Sequence, residues 1–205
     1  MRLRGRLVAG CVKMLPMKDS HKDDPSGLSR ETILEAFQEM SDVLARRGAS
    51  GEICIFGGTV MVLAFAARLS TKDVDAIFQP AEIIREAARE VGEAHGFPPN
   101  WLNDAAKGFI SARHETIQGS LPQFSNLRLM MPTPEYLLAM KCMASRIGGV
   151  EGETHDVSDI VFLIRHLKLK NAGEVMDVVV AYYPKDRLPV KAQYLVEGLF
   201  AEGKI

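Results

Sequence analysis

The segment from Ile53 to Phe78 constrains the fold more than any other. Ile53-Cys54-Ile55-Phe56 is a short apolar run, Gly57-Gly58 breaks it, and Thr59 to Leu69 carries apolar residues at helical spacing. Asp73-Val74-Asp75-Ala76-Ile77-Phe78 then alternates, with Val74, Ala76 and Phe78 on one side and Asp73, Asp75 and Ile77 on the other. That period of two predicts a strand with one polar face. The order is strand, glycine turn, helix, strand. A helix joining two strands of one small sheet returns the chain, so the glycine turn and the acidic strand meet on the same side.

Each half of this segment has chemistry of its own. Gly57-Gly58 lets backbone amides approach a ligand with no β-carbon in the way. The helix N-terminus adds partial positive charge there, so a phosphate is a natural guest, and Thr59 adds a hydroxyl donor. Asp73 and Asp75 are two apart on a strand and project from one face, roughly 6–7 Å apart at their α-carbons. Such a pair suits one or two Mg²⁺ ions held through oxygen ligands. Arg68 and Lys72 flank the acidic strand; they either screen the two aspartates from mutual repulsion or meet a substrate.

The rest of the chain reads as mixed. Ser29 is a plausible N-cap with Glu31 in the first turn. Ile33, Leu34, Phe37, Met40, Val43 and Leu44 follow at helical spacing, ended near Gly48. Pro80 opens a helix to about His95. Trp101 to Phe109 is expected to be a short helix with Trp101 as a core anchor, and Ile110–Ile117 and Leu127–Met131 are expected strands. After Pro132-Thr133-Pro134 the expected helices are Glu135–Arg146, Val157–Leu167, Ala172–Tyr182 and Val190–Phe200. The expected class is α+β: a core over 28–131 containing a small mixed sheet, and a helical half over 132–205 packed on it. Residues 1–27 are basic, then polar, and are expected to be a disordered extension. Met14 or Met17 inside it is the expected natural start.

Composition narrows the partners. Lys and Arg total 25 against 26 Asp and Glu, a net charge of −1, so no global charge draws the chain to nucleic acid or an anionic membrane. The stretch around Val60 to Ala67 is of helix-core length, too short to span a bilayer. Lys13 interrupts the apolar stretch after Arg2, Arg4 and Arg6, and no small-residue cleavage site follows. Cys11, Cys54 and Cys142 are scattered and form no CxxC pair, which suits reduced thiols and a cytoplasmic location.

The segment Gly57 to Phe78 resembles the signature of the DNA polymerase β-type nucleotidyltransferase superfamily: a Gly-Gly turn, a helix, then Asp-hydrophobic-Asp. Further stretches resemble uncharacterised bacterial members. They are Trp101-Leu102-Asn103-Asp104-Ala105-Ala106-Lys107-Gly108-Phe109, the helix Pro134 to Lys141, and Asp156-x-x-Asp159-Ile160. The chain is also distantly similar to the nucleotidyltransferase toxins of type IV toxin–antitoxin systems. The resemblance covers roughly residues 30 to 200.

The resemblance implies the nucleotidyltransferase fold and Mg²⁺- or Mn²⁺-dependent transfer of a nucleoside monophosphate from an NTP to an acceptor, with release of pyrophosphate. The acceptor classes it leaves open are RNA, a protein hydroxyl and a small molecule, and a toxin role would bring an antitoxin partner. By position, Gly57, Gly58 and Thr59 would contact the triphosphate, and Asp73 and Asp75 would hold metal. Lys141 would neutralise phosphate charge, and Asp156 would act as a base or support one. Many members carry a third metal-binding carboxylate on a later strand. Leu127–Met131 contains no acid, so that role falls to Glu115, to Glu135 or to neither. If to neither, the alternative is a catalytically inactive nucleotide-binding or interaction module of the same fold. Two plainer readings stand beside these: Lys141 as a solvated helix lysine, and Asp156 and Asp159 as helix-start residues. His155-Asp156 lacks the spaced histidines of a metal phosphohydrolase.

Overall fold

The computed structural model describes residues 27–145 and 155–205. The expected disordered extension falls outside the described residues except for Gly27. So do Cys11, Met14, Met17 and Arg146. The fold is α+β. Strand β1 (Leu28–Ser29) leads into helix α1 (Arg30–Arg46), strand β2 (Gly51–Ile55), helix α2 (Gly57–Leu63), and strands β3 (Ser70–Thr71) and β4 (Val74–Gln79). Helix α3 (Ala81–His95), strand β5 (Leu102–Asn103), a 3-10 turn over Ala105–Phe109, and strands β6 (Thr116–Ile117) and β7 (Leu127–Pro132) follow. Helices α4 (Pro134–Ala144), α5 (His155–His166), α6 (Ala172–Tyr182) and α7 (Val190–Ala201) complete it.

Five strands form one mixed sheet in the order β5-β4-β2-β7-β6, and β1 pairs with β3 in a separate two-stranded ribbon. β2 runs antiparallel to β4 and parallel to β7. Register places Ile53 beside Phe78 and Leu129, and Ile55 beside Ala76. With Val74 and Leu127 these residues form one continuous buried apolar face. α1 and α3 pack on each other and reach β7 and β4. Residues of opposite parity, Cys54, Asp75, Ile77 and Met130, belong to the second face and are only partly buried. α4 packs against β7 and the 3-10 turn, and α5 and α6 pack on α4.

Local chemistry explains most boundaries. The Ser29 side chain accepts from the Thr32 amide at 3.2 Å, capping α1 as its sequence position suggests. Thr133 caps α4 and Asn171 caps α6 in the same way. Gly96 ends α3 in the left-handed region at φ 68°. Pro80 stands at the N-cap of α3, one position before the helix begins.

Three expectations differ from the fold. The helix expected over Thr59 to Leu69 stops at Leu63, and Ala66 turns the chain at φ 50° so that Ser70 and Thr71 can pair with β1. Arg30 of α1 donates to the carbonyls of Val62 and Leu63, satisfying that early helix end from outside. The helix expected over Trp101 to Phe109 is a two-residue strand followed by a 3-10 turn, because Leu102 and Asn103 pair with Val74 and Asp75. Within Ile110–Ile117 only Thr116 and Ile117 are strand, held to Pro132 and Met131 of β7.

Candidate active site

A cavity of about 430 Å³ lies against the second face of the sheet, lined by residues from five parts of the chain. Phe56 and Gly57 come from the β2–α2 junction, and Lys72, Asp73 and Asp75 from β4 and its approach. Ala105, Ala106 and Phe109 come from the 3-10 turn, and Asp156 from the first turn of α5. α4 contributes Leu137, Met140, Lys141 and Ala144, spaced three, four and seven along the helix, so one stripe of it forms a wall.

The two aspartates are held firmly. The Asp73 carbonyl accepts hydroxyl hydrogen bonds from Thr59 at 3.3 Å and Thr71 at 3.2 Å. The Asp75 carbonyl accepts from the Phe56 amide at 2.8 Å. Asn103 of β5 is the register partner of Asp75, and its amide donates to Asp73 Oδ2 at 3.3 Å. Burial pushes the Asp75 carboxyl above its ordinary value, and the neighbouring Asp73 charge pushes it further; the Asn103 amide and the Lys141 charge oppose that rise. Gly57 sits at φ 57°, and a β-carbon there would stand 3.1 Å from Asp75 Oδ2. The glycine thus supplies a backbone shape that other residues rarely adopt and keeps the carboxylate uncovered.

The other two residues of the glycine turn do different work from that expected. A β-carbon on Gly58 would lie 2.4 Å from Thr71 Oγ1, so this glycine lets α2 close onto β3. Thr59 is fully buried and its hydroxyl is spent on the Asp73 carbonyl. Neither lines the cavity. Thr59 therefore acts on the site through Asp73, and its hydroxyl is not presented to a triphosphate.

Lys141 and Asp156 do line the cavity, joined to a buried charge network. Lys141 Nζ lies 2.9 Å from Asp156 Oδ1 and 2.7 Å from Asp159 Oδ2. Arg68 clamps Asp159 in bidentate fashion, Nε to Oδ1 at 2.8 Å and Nη2 to Oδ2 at 2.7 Å. The Asp159 side chain is 2 % exposed and that of Lys141 9 %. Lys141 is thus no solvated lysine, and Asp159 is the buried hub of two cations.

Neither candidate for a third carboxylate reaches the cavity. Glu115 is held by Arg113 at 2.8 Å and by the Tyr182 hydroxyl at 2.9 Å, and Glu135 opens α4. Among the described residues no group of three or more His, Cys, Asp or Glu side chains could hold a metal. The metal donors at hand are the two aspartates; the Asn103 amide nitrogen steadies Asp73 while its Oδ1 accepts from the Ala105 amide. The aspartate pair fits Mg²⁺, which is usually bound through one or two carboxylates plus substrate phosphates and waters.

Sequence reasoning missed Asn103, Phe109 and the Arg68–Asp159 clamp. Asn103 stood inside the quoted Trp-Leu-Asn-Asp stretch, but its role depends on β5 joining the sheet edge beside β4. No helix among the described residues is long and apolar enough to cross a membrane. No protein-family model matches this chain, and neither a curated protein nor a solved structure matches it.

Proposed function

We propose that the protein is a Mg²⁺-dependent nucleotidyltransferase, moving a nucleoside monophosphate from an NTP to an acceptor hydroxyl. The observation that carries this reading is the meeting of Asp73, Asp75 and the left-handed Gly57 in one cavity. Asp73 and Asp75 would hold the metal, whose chemistry is to polarise the phosphate and make the acceptor hydroxyl more acidic. In the balanced reaction the acceptor oxygen bonds to the α-phosphorus and the bond to the bridging oxygen of the β-phosphate breaks. Pyrophosphate leaves with that electron pair. Asp156, one oxygen anchored by Lys141 and the side chain 31 % exposed, is the carboxylate placed to take the acceptor's proton. Leu137, Met140 and Phe109 give the cavity an apolar wall. Tyr183 holds that wall by donating its hydroxyl to the Phe109 carbonyl.

The test is transfer of label from α-phosphate-labelled NTPs, with Mg²⁺, to total cell RNA and to cell protein. The expected result is labelling by the wild type and a loss of about 100-fold or more in Asp73→Asn and in Asp75→Asn, the scale of a lost electrostatic catalytic group. Equal labelling by both variants would defeat the mechanism. One observation favours a second reading, a nucleotide-binding module without turnover: an amide, Asn103, stands beside the aspartates where a third carboxylate would strengthen a two-metal site. Mg²⁺-dependent NTP binding with no pyrophosphate released in any acceptor mixture would select it. The resemblance to toxins is tested separately, by growth arrest on expression that the Asp73→Asn variant does not cause.

A further inference from the structure

Two basic side chains, Lys72 and Lys141, line the cavity and a third, Arg68, stands close by beside Gly58; two of the three are already committed. Arg68 spends its guanidinium on Asp159, and Lys141 spends its ammonium on Asp156 and Asp159. These four residues form a closed network with no net charge. Lys72 is different. It lines the cavity and is exposed, and no ion pair or hydrogen bond engages its ammonium among the described residues. It pairs with neither Asp73 nor Asp75, although it precedes one directly and is two residues from the other.

The root of Lys72 is fixed while its tip is not. Thr71 before it ends β3 and is paired with Leu28. The Asp73 carbonyl after it is clamped by two threonine hydroxyls. The backbone is thus held on both sides, and a four-carbon stem projects a compact cation at the cavity mouth. This is how a lysine serves as a point-charge phosphate binder. With the neutral network set aside, Asp73, Asp75 and Lys72 leave one excess negative charge, which a single divalent ion turns into one excess positive charge. A polyphosphate is the ligand that such a balance favours.

We propose that Lys72 is the residue that binds the outer phosphates of the triphosphate, the Lys141 ammonium being taken up by Asp156 and Asp159. This rests on the nucleotidyltransferase reading above. The outer phosphates are assigned because Lys72 stands exposed at the rim, whereas Asp73 and Asp75 are half-buried further in.

The experiment is calorimetric titration of the full chain, in Mg²⁺, with inorganic pyrophosphate and with each of the four NTPs. It compares wild type, Lys72→Ala and Lys72→Arg, with thermal melts of each. The expected result is pyrophosphate and NTP binding at least about tenfold weaker in Lys72→Ala, equal to about 1.4 kcal/mol. Binding by Lys72→Arg is expected within about threefold of wild type, with equal melting temperatures throughout. Lys72→Ala binding as tightly as a wild type that does bind would overturn the assignment and leave the nucleotidyltransferase reading standing. A drop in melting temperature that accounts for the lost binding would overturn it as well. A wild type that binds neither pyrophosphate nor any NTP would overturn both.

Discussion

Asp75 shows most directly what the site costs the fold. Its carboxyl is pushed above the ordinary value of 3.8, first by burial and then by the charge of Asp73. A carboxyl with a raised folded-state pKa favours the fold while protonated, and that contribution is lost as pH rises through its folded-state pKa. At neutral pH the ionised Asp75 is therefore a burden. Asp75→Asn is expected to melt higher than wild type at pH 7 without metal, by roughly 2–4 °C for each kcal/mol of repulsion and burial relieved. The gain should vanish as pH falls below 3.8, where Asp75 of the wild type is protonated too. Added Mg²⁺ should raise the wild-type midpoint and leave that of the variant unchanged. Calorimetric melts across pH, with and without Mg²⁺, check both. A variant less stable than wild type at pH 7 without metal would contradict this account.

At the scale of elements, the short strand β5 decides the polar setting of the site, and Trp101 holds β5 in place. The indole Nε1 donates to the Ala88 carbonyl at 2.9 Å, and the Trp101 carbonyl accepts from the Val74 amide at 2.6 Å. Gly92 provides the space: a β-carbon there would lie 2.7 Å from the indole nitrogen. Phe97 packs edge-on against the ring, with centroids 5.3 Å apart. Trp101→Ala is expected to cost about 3–5 kcal/mol, the range for an aromatic removed from a core. It should also weaken Mg²⁺ binding, because Asn103, two residues on, loses its anchored strand. Denaturant unfolding and metal titration of the variant measure the two effects. A stability loss with metal affinity unchanged would show that β5 holds its place by pairing with β4 alone.

Across the whole molecule, the Asp159 hub joins parts of the chain that lie far apart in sequence. Arg68 and Asp159 are separated by 91 positions, and their pair ties α5 to the loop between α2 and β3. Lys141 brings α4 to the same point. Removing one member of a buried pair leaves the other charge stranded, so Asp159→Ala is expected to cost about 3–5 kcal/mol. Arg68→Met together with Asp159→Ala should cost less than the sum of the two single variants, and unfolding of all three measures the coupling. Additive losses would mean that the clamp holds α5 no more tightly than ordinary surface pairing.

Much of this was legible from local pattern. The alternation of Val74, Ala76 and Phe78 with Asp75 and Ile77 is the strand and its two faces, because side chains on a strand alternate with period two. Ser29 as a cap follows from capping chemistry, and α3, α6 and α7 from helical spacing, both of which act over a few residues. Gly57, Asp73 and Asp75 stand out by residue type and spacing, Lys141 and Asp156 only through the family resemblance, and all five line one cavity.

Tertiary structure alone decided how those groups share the work. The stretch after Leu63 has helical composition, yet it turns because Ser70 and Thr71 find a partner in β1. Thr59 and Lys141 look available to a ligand in sequence, but a buried hydroxyl or ammonium must find partners, and the folded chain supplies the Asp73 carbonyl, Asp156 and Asp159. Asn103 and Lys72 gain their places only when β5 and β3 join the strands around them. Short-range order follows from the residues in a segment, whereas which polar atoms stay free for chemistry depends on contacts made across the whole chain.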